Sequence, residues 1–71
     1  MPRAHTVTEI SRNYWSVETP DGARLGDILG GGPTADTRFK AISPRDGAID
    51  PDSAPGTYFR SLAGAARFLA G

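Results

Sequence analysis

The residues that could do chemistry are few, and most of their spacings argue against it. Gly30-Gly31-Gly32-Pro33 has the composition of a phosphate loop. A phosphate loop needs a following Gly-Lys-Ser/Thr and the start of a helix, so that a lysine and backbone N–H groups converge on the anion. Neither follows here, and the run reads as a connector. Asp46, Asp50 and Asp52 could gather a cation, yet they lack EF-hand spacing and its closing Glu; a solvated acidic loop is the simpler account. His5 is the single histidine and sits in an irregular N-terminal start, Met1 to His5. Ser11, Ser16, Ser43, Ser53 and Ser61 each have an ordinary turn, strand or cap reading, so no serine has a base to activate it. The expectation is a protein that is not an enzyme and uses no metal or cofactor.

What remains is charge, and its distribution says more than its sum. Eight basic and eight acidic residues cancel, so no global field drives the chain toward nucleic acid or membrane. Thr37 to Arg45 nevertheless holds Arg38, Lys40 and Arg45 with no acid, and Ser53 to Gly71 holds Arg60 and Arg67 with no acid. The acids concentrate between Glu9 and Asp27, at Asp36, and from Asp46 to Asp52. Arg38, Lys40, Arg60 and Arg67 are therefore the candidate phosphate contacts, with Arg12 and Arg24 as candidate groove readers. The competing account is that all six are solubilising surface charges.

These side chains must be positioned by a small scaffold. Seventy-one residues make one domain near the lower size limit for a core without staples. There is no cysteine, so no disulfide and no thiolate zinc site holds it together. No apolar run approaches the roughly 18 residues of a membrane span, and the N-terminus lacks a signal-peptide core. A soluble cytoplasmic protein is the expectation.

Thr6 to Ile10 is rich in β-branched residues and reads as a strand. Val7 and Ile10 differ in parity, so Ser11-Arg12-Asn13 implies a turn or bulge. Tyr14 to Thr19 is the clearest strand, with Trp15 and Val17 facing one way and Tyr14, Ser16 and Glu18 the other. Pro20-Asp21-Gly22 is a turn, and Arg24 to Leu29 returns with Leu25 and Leu29 on one face and Ile28 on the other. Thr37 to Ile42 resumes the pattern, Phe39 and Ala41 inward, Arg38 and Lys40 outward. Ser43 to Pro55 is too rich in proline for a central strand and reads as a long loop, with room for a brief hairpin about Asp46-Gly47. Tyr58 and Phe59 end a strand that runs into Ser61, an N-cap residue type. Beyond it Leu62, Ala65, Ala66 and Leu69 form one apolar helical stripe. The fold expected is α+β: a three- to four-stranded antiparallel sheet with one C-terminal helix packed on one face. Trp15, Val17, Leu25, Leu29, Phe39, Leu62, Ala65, Ala66 and Leu69 are its expected core.

The stretch Thr57-Tyr58-Phe59-Arg60-Ser61-Leu62-Ala63-Gly64-Ala65-Ala66-Arg67-Phe68-Leu69-Ala70-Gly71 resembles the element that closes RAMA-type domains of restriction-modification and phage proteins. Tyr14-Trp15-Ser16-Val17-Glu18, then Asp21-Gly22 and Arg24-Leu25-Gly26-Asp27-Ile28, is similar to the Trp-containing hairpin of AP2-like and integrase arm-type domains. Both resemblances imply recognition of DNA. The functional expectation is a small DNA-binding accessory protein of phage or mobile-element origin, with double-stranded DNA as partner. The alternative is a small protein-interaction module, a host-protein inhibitor or a component of a larger assembly, using Tyr14, Tyr58 and Phe68 with the long loop.

Overall fold

Alternation of Trp15 and Val17 with polar neighbours folds, as its period of two requires, into a strand at the centre of a hairpin. In a computed structural model that describes residues 4–49 and 53–71, the chain runs β1 (Thr6–Ser11), β2 (Tyr14–Glu18), β3 (Arg24–Leu29), β4 (Phe39–Ile42), α1 (Pro44–Ile49), β5 (Thr57–Phe59) and α2 (Leu62–Ala70). The strands form one antiparallel sheet in sequence order. The α+β class is as expected; the sheet has five strands instead of three or four. The fifth is β5, three residues that pair with β4 through Phe39 and Phe59, Lys40 and Tyr58, Ala41 and Thr57. The strand expected at Tyr58 and Phe59 is thus this one, and pairing with β4 makes it a full member of the sheet.

Two turns follow local chemistry directly. Gly22 N–H donates to the Thr19 carbonyl at 2.9 Å, and Gly22 takes a positive φ of 92°, which glycine adopts without strain. Asn13 sits at φ 60° in the β1–β2 turn, a conformation its short polar side chain tolerates. The parity conflict of Val7 and Ile10 is resolved by a register shift between Glu9 and Ser11. Val7 packs against the core, and Ile10 is left exposed.

Packing on the helix side joins Val17, Leu25, Ile28, Ala41, Ala65, Ala66 and Ala70 in one buried cluster. Trp15, Phe39, Phe59, Leu62 and Leu69 lie half-buried against it, with Trp15 meeting Phe39 edge-on at 5.7 Å between ring centroids. Two expected placements change. Ile28 is wholly buried under α2 and Leu29 faces the other side, because the β2–β3 register shifts where Val17 meets Gly26 and Glu18 meets Arg24. That bulge puts Leu25 and Ile28, three residues apart, on one face. Gly26 is what allows the tight fit: a Cβ there would lie 2.4 Å from the Ile42 carbonyl oxygen and 2.7 Å from Leu69 Cδ2.

The segment Ser43 to Pro55, expected as a loop, contains α1. Pro44 occupies the first helical position, where a missing N–H costs nothing. Ser43 caps it, its Oγ accepting from Asp46 N–H at 3.3 Å and donating to the Asp46 carboxylate at 3.0 Å. α1 packs against β3. Residues 1–3, with the start of the irregular N-terminus, and Asp50 and Asp52 of the acidic loop lie outside the described residues. α2 begins as expected at Ser61, whose side chain accepts from Gly64 N–H at 3.0 Å, and closes with Gly71 N–H on the Arg67 carbonyl at 2.8 Å.

Candidate nucleic-acid-binding face

Strand alternation decides which charges meet. Phe39 and Ala41 of β4 face α2, so Lys40 and Ile42 face away from it, and Arg38 immediately precedes the strand. Tyr58 lies opposite Lys40 in the register and shares that outer face. There Leu29, Gly30, Gly31, Gly32, Pro33, Arg38, Lys40 and Tyr58 line a cleft of about 150 Å³. The glycine run supplies its wall and is pinned at both ends. Gly30 N–H donates to the Asn13 carbonyl at 2.8 Å, and Gly32 N–H to the Arg38 carbonyl at 3.1 Å. Gly32 is required by close approach, since a Cβ would fall 1.7 Å from the Thr37 carbonyl oxygen.

Both cations of the cleft lack a carboxylate partner among the described residues. The Arg38 guanidinium lies 5.6 Å from the centroid of the Phe39 ring, a cation–π contact that holds it without neutralising it. Lys40 Nζ donates to the Ala54 carbonyl at 2.9 Å, tying the segment after α1 across the sheet. That bond uses one of three donors and leaves the charge intact. Tyr58 is 50% exposed, its ring free of aromatic partners and its hydroxyl free of hydrogen bonds among the described residues.

The other expected contact residues are dispersed. Arg12 sits at the β1–β2 turn, and Arg60 just past β5, so the register puts both at the same end of the sheet as Arg38. Arg60 Nε meets Asp36 Oδ1 at 3.1 Å with both side chains largely in solvent; such a pair is weak and easily exchanged. Arg67 lies on α2 and is exposed, across the sheet from the cleft. Arg24 is committed elsewhere. Its Nε donates to Asp27 Oδ1 at 3.1 Å and its Nη2 to Oδ2, while the Tyr14 hydroxyl donates to Oδ2 at 2.9 Å. Asp27 is wholly buried, and this triad satisfies it. Burial, then the bond to Asp27, raises the Tyr14 hydroxyl above the usual tyrosine value. Hydrogen bonding to Asp27 raises the Arg24 guanidinium.

No family model, curated protein or solved structure matches this chain.

Two further observations bear on what the molecule can bind. Among the described residues, no three His, Cys, Asp or Glu side chains gather to hold a metal, and no helix is long and apolar enough to cross a membrane. The aromatic trio Tyr14, Tyr58 and Phe68 does not form one patch. Tyr14 is half-buried and bonded to Asp27, Tyr58 lies on the cleft face, and Phe68 packs on Phe59 at 5.1 Å on the α2 side. The cleft itself was hidden from the sequence in one respect. Tyr58 lies far from Arg38 and the glycine run in the chain, and only the β4–β5 register brings it beside them. The alternation of Tyr58 with Phe59, set against Arg38 and Lys40 with Phe39, was the available signal.

Proposed function

We propose that this protein is a small DNA-binding accessory protein that holds phosphates on the face of the sheet away from α2. The observation that carries the reading is the cleft that Arg38 and Lys40 line beside Tyr58 and the glycine wall, neither cation having a carboxylate partner among the described residues. Guanidinium and ammonium groups whose charge is not neutralised by a carboxylate can displace counterions from phosphates. Arg12 and Arg60, at the same end of the sheet, extend the positive rim; Asp36 and Glu9, which pairs with Trp15, are the acids they must outweigh. Glu18, Asp21 and Asp46 lie at the other end, in company with Arg24 and Arg45. Origin in a phage or mobile element belongs to the same proposal and rests on the two sequence resemblances.

Salt titration of binding to a labelled duplex and to the same sequence as a single strand tests this. With two to four phosphate contacts the slope of log K against log salt should be on the order of −2 to −4 on the duplex, and about a quarter shallower on the single strand. Arg38→Gln with Lys40→Gln should flatten it by about 2, and Arg67→Gln, across the sheet, should not change it. Lack of binding to either form at low salt ends this reading. A second reading, a protein-interaction module, has one observation in its favour. Phe68 is 53% exposed at the rim of an open depression of about 380 Å³ lined by Ala41, Ser43, Asp46, Pro55, Gly56 and Thr57.

A further inference from the structure

Resting on that reading, we infer that the preferred ligand is single-stranded nucleic acid, with one base stacked on Tyr58 and the adjoining phosphate held by Arg38 and Lys40. The cleft, about 150 Å³, has room for a phosphate beside the glycine wall and two cations. The aromatic beside it is available: Tyr58 stands on an edge strand, half-exposed, without ring or hydroxyl partners among the described residues. An unpartnered tyrosine on a sheet face next to basic side chains offers a ring that any unpaired base can cover, while cations follow the backbone. In a duplex, bases are already stacked on one another and cannot use it. Lys40 Nζ bonds the Ala54 carbonyl at 2.9 Å and the Arg38 guanidinium lies 5.6 Å from the Phe39 ring centroid, so a phosphate in the cleft is met by these two side chains turning toward it. Tyr58 lies directly opposite Lys40 across the β4–β5 ladder. That spacing brings the ring and the ammonium within reach of neighbouring nucleotides.

The test is fluorescence anisotropy of the full chain with a mixed-sequence oligonucleotide, single-stranded and as its duplex, across a salt series. The single strand should bind at least about tenfold more tightly than the duplex. Tyr58→Ala should weaken single-strand binding by about 5- to 150-fold with the salt slope unchanged. Tyr58→Phe, which keeps the ring and removes the hydroxyl, should bind like wild type. Arg38→Gln should instead lower the slope by about 0.7. Duplex bound as tightly as single strand, or Tyr58→Ala indistinguishable from wild type, would overturn the stacking role while a surviving salt slope leaves the phosphate reading in place. No binding to either form at low salt removes both. Circular dichroism of each variant separates loss of binding from loss of fold.

Discussion

Replacing Arg24 by Met keeps a long unbranched stem and deletes the guanidinium, which leaves Asp27 with a single side-chain donor. In the native protein that carboxylate, wholly buried on β3, receives two bonds from Arg24 and one from the Tyr14 hydroxyl at 2.9 Å. Removing one partner of a buried pair costs roughly 3–5 kcal/mol, because a charge remains without compensation. The Arg24 side chain is 39% exposed, so water can enter part of the vacated space and the cost falls to about 2–3 kcal/mol. A domain of this size has a total stability on the order of 4–10 kcal/mol. The loss should lower the thermal midpoint by roughly 10–20 °C. Urea unfolding followed by circular dichroism at neutral pH measures it, with the urea dependence expected to stay that of wild type. The double variant Arg24→Met with Asp27→Leu removes both charges and should recover much of the loss, since well-packed apolar replacements of buried pairs are often neutral or better. Arg24→Met within about 0.5 kcal/mol of wild type, or a double variant whose loss is the plain sum of the two singles, would refute the view that Asp27 depends on Arg24.

Ser61→Ala should cost roughly 0.5–2 kcal/mol in the same unfolding assay and Ser61→Asp close to nothing, because the Oγ that accepts from Gly64 N–H is replaced only in the second. Gly26→Ala should destabilise by at least about 2 kcal/mol, since its Cβ would meet the Ile42 carbonyl oxygen at 2.4 Å. Gly22→Ala, with open space around it at φ 92°, should cost only the left-handed strain of about 1–2 kcal/mol, and equal losses would exclude the clash. The raised Tyr14 value means that the folded state holds this proton more tightly than the unfolded chain. Its stabilising contribution is thus complete below the unfolded value near 10 and lost as pH rises through the folded one; urea midpoints measured across that range should fall less steeply in Tyr14→Phe. The opposite sign holds at Asp21, lowered by the Thr19 hydroxyl and then by Ala23 N–H. Its contribution is lost as pH falls through the folded value, and Asp21→Asn should flatten that acid limb.

Local chemistry was enough to write much of this molecule from its sequence. Pro20-Asp21-Gly22 makes a turn wherever it is placed, Trp15 and Val17 alternate as only a strand allows, and Ser61 before an apolar stripe starts a helix. Ser43-Pro44 with Asp46 was an equally local signal for α1, and proline content alone masked it. What tertiary structure decided is which side chains share a face. A one-residue bulge opposite Val17 exchanged Ile28 for Leu29 in the core, because a shift of one residue reverses every side chain beyond it. The same pairings sorted six basic residues that composition could not tell apart. Arg24 was drawn to a buried Asp27, Arg67 was carried by α2 to the far side, and Arg38 and Lys40 were left beside Tyr58 with no carboxylate partner among the described residues. Residue type sets whether a side chain can hold a phosphate, but whether it is free to do so depends on neighbours supplied by strands distant in the chain.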